Sequence, residues 1–190
     1  PPLVHSDGTP TGAINGFCHM LWSLLERQDD ATHIGVVFDK ARKSFRHDIY
    51  PDYKATRRET PAELVPQFPH IRRMIEAMGI PIFEHSNFEA DDVLATVADQ
   101  VEQQGGSCFL VTADKDARQL ISEQVQIYNL RKNSAYDAKS LAADWGVRPD
   151  QVVDFQALVG DSVDGVPGVP QIGPKAAKEL LEKYQTLDGI

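Results

Sequence analysis

Apolar residues at Ile14, Phe17, Cys18, Leu21, Leu24 and Leu25 trace one face of an amphipathic helix over residues 11–27, with Thr11 placed as its N-cap. The period then changes. Ile34-Gly35-Val36-Val37-Phe38 is a short β-branched run suited to a strand buried on both faces, and it ends at Asp39. Residues 40–60 have no clean period and read as a loop or a mobile helical insert. Helix returns over residues 63–78 despite Pro66 and Pro69 near its start, and Gly79 stops it before the strand Ile80-Pro81-Ile82-Phe83. Residues 89–104 give the clearest helix, with Val93, Leu94, Val97 and Val101 on one face and Gly105-Gly106 behind it.

A strand, Cys108-Phe109-Leu110-Val111-Thr112, runs into Ala113-Asp114-Lys115-Asp116 and a short helix to Leu120, followed by a strand over residues 125–128. Beyond Asn133 the pattern offers no further strand, only helices over residues 138–145, 151–159 and 173–184. Strands alternating with helices predict an α/β fold whose mostly parallel central sheet is flanked by helices. The expected division is an α/β core over residues 1–133 and an all-helical extension over residues 134–190. A chain of 190 residues can bury one core with such an appendage, but hardly two independent domains.

Hydrophobic residues at 42% and charged ones at 25% are ordinary for a globular protein, and no apolar run approaches the ~18 residues that span a bilayer. The opening Pro1-Pro2-Leu3 lacks Met and the charged and apolar regions of a signal peptide, so the sequence reads as continuing something upstream. Cys18 and Cys108 lie in apolar stretches without CxxC spacing, as reduced thiols of a cytoplasmic protein would. A net charge of -9 argues against a nucleic-acid partner until its distribution is considered. Lys40, Arg42, Lys43, Arg46, Lys54, Arg57 and Arg58 face only Asp48 and Asp52 within residues 40–58, a local balance of about +5.

The acids cluster elsewhere. Ligands of parallel sheets bind beyond the carboxyl ends of the strands. Asp39 closes one strand, Asp114 and Asp116 follow another, and Glu89, Asp91 and Asp92 open a helix whose positive end faces the same edge. Helix capping explains any one of these acids alone, but not their joint placement. Six converging carboxylates repel unless cations bridge them, and oxygen donors suit Mg²⁺ or Mn²⁺. Asp161 and Asp164 form a separate pair in Gly160-Asp161-Ser162-Val163-Asp164-Gly165, where plain turn chemistry is an equal reading.

Two segments suit phosphate, their plain alternatives being a Gly/Pro-rich connector for the first and a solvated basic face for the second. Gly165-Val166-Pro167-Gly168-Val169-Pro170-Gln171-Ile172-Gly173-Pro174-Lys175 leads straight into a helix, the pattern of a helix-hairpin-helix clamp that grips nucleic-acid backbone through free amides and Lys175. In Tyr50-Pro51-Asp52-Tyr53-Lys54-Ala55-Thr56-Arg57-Arg58 aromatics alternate with cations, which suits stacking on a frayed base while Lys54 and Arg57 bind phosphates. His47, His70 and His85 are isolated and read as surface or structural.

Val-Val-Phe-Asp at 36–39, Phe-Arg-His at 45–47, Tyr-Lys-Ala-Thr-Arg at 53–57, Glu-Ala-Asp-Asp at 89–92, Thr-Ala-Asp-Lys-Asp at 112–116, Gly-Asp-Ser-Val-Asp at 160–164 and the glycine-rich stretch at 165–175 together resemble the 5′–3′ exonuclease domain of bacterial DNA polymerase I. The resemblance covers essentially the whole chain and implies a PIN-like α/β nuclease core. Its expected substrates are duplex DNA with a 5′ flap, nick or 5′ end, and RNA primers paired to DNA.

By that resemblance Asp39, Glu89, Asp91, Asp92, Asp114 and Asp116 hold the first metal and its water shell, and Asp161 and Asp164 help hold the second. Lys54 and Arg57 contact the scissile phosphate, beside Tyr53, Arg46 and Arg58. Gly168, Ile172, Gly173 and Lys175 belong to the hairpin that binds duplex backbone, often with K⁺. The expected chemistry is two-metal hydrolysis, one Mg²⁺ or Mn²⁺ activating water and the other stabilising the leaving 3′ oxygen. The expected protein is a monomer without a membrane segment, fused to or acting with a polymerase.

The family pattern is not matched everywhere. A further Asp of the family lies on a first strand whose expected place precedes this sequence, and Asp7 reads as a turn residue that does not replace it. Ala113 stands where Gly is usual, Val163 and Gly165 where Ser and Asn are, and the family domain continues past Ile190. Two other functions share parts of this pattern: a nuclease acting mainly on RNA, and a structure-specific DNA-binding module without catalysis. A phosphoryl-accepting receiver domain also clusters acids at strand ends, but has no need of the hairpin or the basic segment.

Overall fold

The computed structural model describes residues 3–27 and 31–190, so the reading of Pro1 and Pro2 lies outside it. Helix α1 (Gly12–Arg27) forms where the apolar stripe predicts, with Leu21 buried and Ile14 and Phe17 packed beside it. Its first turn is closed from a distance. The buried Gln67 side chain accepts the amides of Ala13 at 2.8 Å and Ile14 at 3.2 Å, satisfying donors that a helix start leaves open. Pro66 and Pro69 shape the next helix as well. A single 3-10 turn at Val65–Gln67 precedes α3 (Phe68–Ala77), because proline removes an N–H and restrains the residue before it. Ile71 and Ile75 of α3 pack with Leu21 and Ile80 in one core cluster.

The residues between these helices carry a short strand, β1 (Val36–Val37), and a single short helix, α2 (Arg46–Ile49), within the basic stretch. Strand β1 pairs in parallel with β2 (Ile82–Phe83), Val36 opposite Ile82. Helix α4 (Ala90–Gln103) follows, and β3 (Cys108–Leu110) pairs in parallel with β4 (Val125–Asn129). Among the described residues the strands thus form two small sheets, both with parallel pairs, and not one continuous sheet.

One expectation needs correcting: a strand does exist beyond Asn133. Strand β5 (Ser134–Tyr136) returns antiparallel along β4, with Ile127 opposite Tyr136. Asn129 Oδ1 accepts the Lys132 amide at 3.1 Å, and Asn133 takes a left-handed φ of 49°, which turns the chain. Ser134 and Ala135 are exposed, so no apolar alternation marks the strand.

The helices α5 (Ala138–Asp144), α6 (Val152–Val159) and α7 (Pro174–Tyr184) follow the expected pattern. Their Leu141, Val152, Leu158, Ala177 and Leu181 are buried in one cluster with Ile127 of β4 and with Ala117 and Ile121. Sheet and helical region therefore share a core, which fixes the loop after α6 against the segment after β3. Cys18 and Cys108 are free and half-buried. Among the described residues, no helix is long and apolar enough to cross a membrane.

Candidate active site

The first turn of α4 organises one half of the site. Glu89 is its N-cap residue, and Asp92 Oδ2 accepts the Glu89 amide at 2.9 Å. Asp39, just past β1, accepts the Ala90 amide at 2.7 Å, so a strand end and a helix start meet as the spacing predicts. Asp92 turns to Arg46, which grips it with two 2.7 Å hydrogen bonds and holds its carboxyl below the usual range.

Glu89 is the hub of the basic segment. Its carboxylate accepts hydrogen bonds from Ser44 Oγ at 2.8 Å, Lys54 Nζ at 2.9 Å and Tyr53 OH at 3.0 Å. Burial would raise its pKa, but these donors, Lys54 first, bring it below the ordinary value. Lys54 has a left-handed φ of 56°, and its Nζ also lies 3.6 Å from Asp164 Oδ2. Tyr53 is turned inward: burial pushes its hydroxyl up to about 12, and its ring meets His47 edge-on at 5.4 Å. Arg57 and Arg58 are exposed, with no ion pair among the described residues.

The second half gathers acids from both sides of the shared core. Oxygens of Asp116, Asp161 and Asp164 all lie within 4.8 Å of one another. Asp116, expected among the α4 acids, thus also lies with Asp161 and Asp164, and its charge reaches Asp91 as well. It opens the 3-10 helix Asp116–Leu120, and Gln156 of α6 donates to its Oδ1 at 2.6 Å. Asp161 accepts the Val163 amide at 2.9 Å and faces Lys115 Nζ at 3.1 Å; these outweigh its burial and hold its carboxyl below normal. Asp114 accepts the Asp116 amide at 3.0 Å.

Charge compensation is uneven. Arg46, Lys54 and Lys115 serve Asp92, Glu89, Asp164 and Asp161, while Asp39, Asp91, Asp114 and Asp116 have no ion pair among the described residues. The Asp91 carboxyl is pushed up to about 6, by burial first and then by the negative charge of Asp114, against the opposing pull of Lys54. Asp116 is raised in the same way, burial leading and the Gln156 hydrogen bond opposing, with Asp114, Asp161 and Asp164 adding to it. Carboxylate oxygens within 4.8 Å of one another at Asp116, Asp161 and Asp164, with the charge of Asp114 acting on both Asp116 and Asp91, fit divalent cations with oxygen preference.

The glycine-rich stretch splits into a packed part and an open part. A Cβ on Gly168 would lie 2.4 Å from the Val159 carbonyl, and one on Gly160, at a φ of 80°, would lie 2.4 Å from the Gly168 amide. These two glycines let the chain fold back against the end of α6, where Val169 donates to Leu158 at 2.8 Å. Ile172 packs on the core, while Gly173, the N-cap of α7, and Lys175 are exposed. Ser44, Lys115 and Gln156 hold site acids, yet sequence reasoning did not single them out. Lys115 lies within Thr-Ala-Asp-Lys-Asp at 112–116; Ser44 and Gln156 carry no signal.

A family model described as the 5'-3' exonuclease, N-terminal resolvase-like domain matches residues 1–146, and one described as the 5'-3' exonuclease, C-terminal SAM fold matches residues 147–190. DNA polymerase I of Rhizobium leguminosarum is 47% identical over 197 residues, which cover 100% of this chain and 19% of that protein. The 5'-3' exonuclease of Aquifex aeolicus is 40% identical over 190 residues, covering 100% of this chain and 65% of that protein. The chain thus spans less than two thirds of either relative.

Among solved structures, phage T5 5'-exonuclease with bound zinc ions has the same fold at a TM-score of 0.78 and 22% identity, covering 90% of this chain and 67% of that one. The catalytic core of Rad2 in complex with DNA substrate matches at a TM-score of 0.61 and 21% identity, covering 94% and 54%. With both family models adjoining at residues 146 and 147, the chain belongs to the 5′–3′ exonuclease family, a family of nucleases.

Proposed function

We propose that this chain hydrolyses DNA phosphodiesters at 5′ ends and flaps, in replication and repair, with the help of two divalent cations, Mg²⁺ or Mn²⁺. The observation that carries the reading is the meeting of Asp116, Asp161 and Asp164 within 4.8 Å, with the charge of Asp114 acting on both Asp116 and Asp91, and that of Asp39 on Asp91. Asp116, Asp161 and Asp164 would hold one cation; Asp39, Asp91 and Asp114, with Glu89 and Asp92 behind them, the other. When bound, such ions supply Lewis acidity for water and offset charge on the phosphate.

The protein's own groups orient the substrate. Lys54, fixed between Glu89 and Asp164, and the exposed Arg57 present positive charge where the scissile phosphate enters. Arg46 and Tyr53 position α4 and Lys54, and Arg58 extends the basic surface. Open amides at the start of α7, with Gly173 and Lys175, suit the duplex backbone, with K⁺ bound beside them; Gly168 and Ile172 shape that turn. The relatives named DNA polymerase I support a module joined to or working beside a polymerase; the reading further takes it as a cytoplasmic monomer that also acts on RNA primers paired to DNA.

Cleavage of a 5′-labelled flap duplex tests this reading. Cleavage is expected with Mg²⁺ or Mn²⁺, none in chelator, and none for Asp116→Asn. Chelator-resistant cleavage would overturn it.

A further inference from the structure

The buried carboxylate of the three-acid cluster already carries a cation of the protein's own. Lys115 Nζ lies 3.1 Å from Asp161 Oδ2, and the Asp161 side chain is 8% exposed while that of Lys115 is 39% exposed. A carboxylate removed from water needs a partner, which explains why an ammonium stands there. The mounting of that ammonium is loose. Lys115 makes no other ion pair among the described residues, and its charge sits on a flexible, readily hydrated stem. Lys54 is different: at 16% exposure its Nζ is held by both Glu89 and Asp164 and packed 4.8 Å from the Tyr53 ring centroid.

We propose that Lys115 is a resident counter-ion of the cation site: it neutralises Asp161 while the site is free of metal and is displaced when a divalent cation binds Asp116, Asp161 and Asp164. The proposal rests on reading that cluster as a cation site. Its physical content is competition. An ammonium on Asp161 occupies an oxygen that the cation needs, and two cations separated by only a few ångströms repel each other. Removing the Lys115 charge therefore tightens metal binding while unbalancing the metal-free protein.

The test is titration with Mn²⁺ followed by calorimetry, without DNA, on the wild type, Lys115→Gln, Lys115→Arg and Asp116→Asn, with a melting curve for each. Lys115→Gln is expected to bind Mn²⁺ roughly tenfold more tightly, a ~1.4 kcal/mol effect, and to melt lower than wild type without metal, with saturating Mn²⁺ closing the gap. Lys115→Arg, which keeps the charge, restores wild-type behaviour. Unchanged or weaker binding by a folded Lys115→Gln, with binding lost in Asp116→Asn, would overturn the displacement alone. Absence of binding by the wild type would overturn the cation site with it.

Discussion

Arg46 holds Asp92 with both terminal guanidinium nitrogens, each at 2.7 Å, and so ties the basic segment to the first turn of the helix that presents Glu89 and Asp91. Lysine cannot reproduce that fork. Arg46→Lys should cost about 1–2 kcal/mol, the lower part of the range for charged hydrogen bonds, because the pair is 33% and 22% exposed and partly screened. Urea denaturation measures it; a midpoint equal to that of the wild type would show that the pair does not secure α4.

Gln67 offers a sharper stability test because its partners are backbone amides. Gln67→Leu keeps the size but leaves the amides of Ala13 and Ile14 open at the start of α1. A loss of about 1–3 kcal/mol is expected, as for a removed helix cap that leaves half-buried donors without a partner. Hydrogen exchange at Ala13 and Ile14 should accelerate in the same variant.

The glycines of the turn after α6 separate packing from exposure. Gly168→Ala places a methyl 2.4 Å from backbone atoms that cannot yield, so a loss of at least about 2 kcal/mol is expected, with weakened Mn²⁺ binding as the Asp161 loop shifts. Gly173→Ala meets nothing within 4 Å and should alter stability by less than about 0.5 kcal/mol. Thermal melts of the two variants should therefore differ widely.

Acid pH should weaken cation binding. Asp91 carries a pKa of about 6, against 3.8 for a free side chain, through burial and the charge of Asp114. Its folded form thus holds a proton more tightly than the unfolded chain does. In the metal-free protein its contribution to stability is greatest below about pH 4 and declines as pH rises towards about 6. Cations need the deprotonated carboxylate, so Mn²⁺ affinity should climb as pH rises through about 6 and level off above it. A calorimetric affinity that stays flat from about pH 5 to about pH 7 would contradict this assignment.

These predictions rest on both legible and hidden features. The stripe from Ile14 to Leu25 and the capping acids of Glu89-Ala90-Asp91-Asp92 mark α1 and α4 because helical period and cap chemistry are local. Strand β5 escaped notice because two of its three residues face solvent and its order comes from pairing with β4. The strand-end pattern groups Asp116 with the α4 acids, and its charge does reach Asp91. What the pattern hides is its nearness to Asp161 and Asp164, which comes from the 3-10 turn it begins and the Gln156 hydrogen bond from α6, a contact between residues 40 apart. The alternation of aromatics and cations marks Tyr53 as a stacking residue, but the tertiary position of Glu89, which turns its hydroxyl inward, has no local signal.

The central claim is that the converging carboxylates hold divalent cations, and anomalous diffraction from crystals saturated with Mn²⁺ tests it most directly. The account predicts one peak among the oxygens of Asp116, Asp161 and Asp164 and a second beside Asp91 and Asp114. A well-ordered acid cluster without a peak would contradict it.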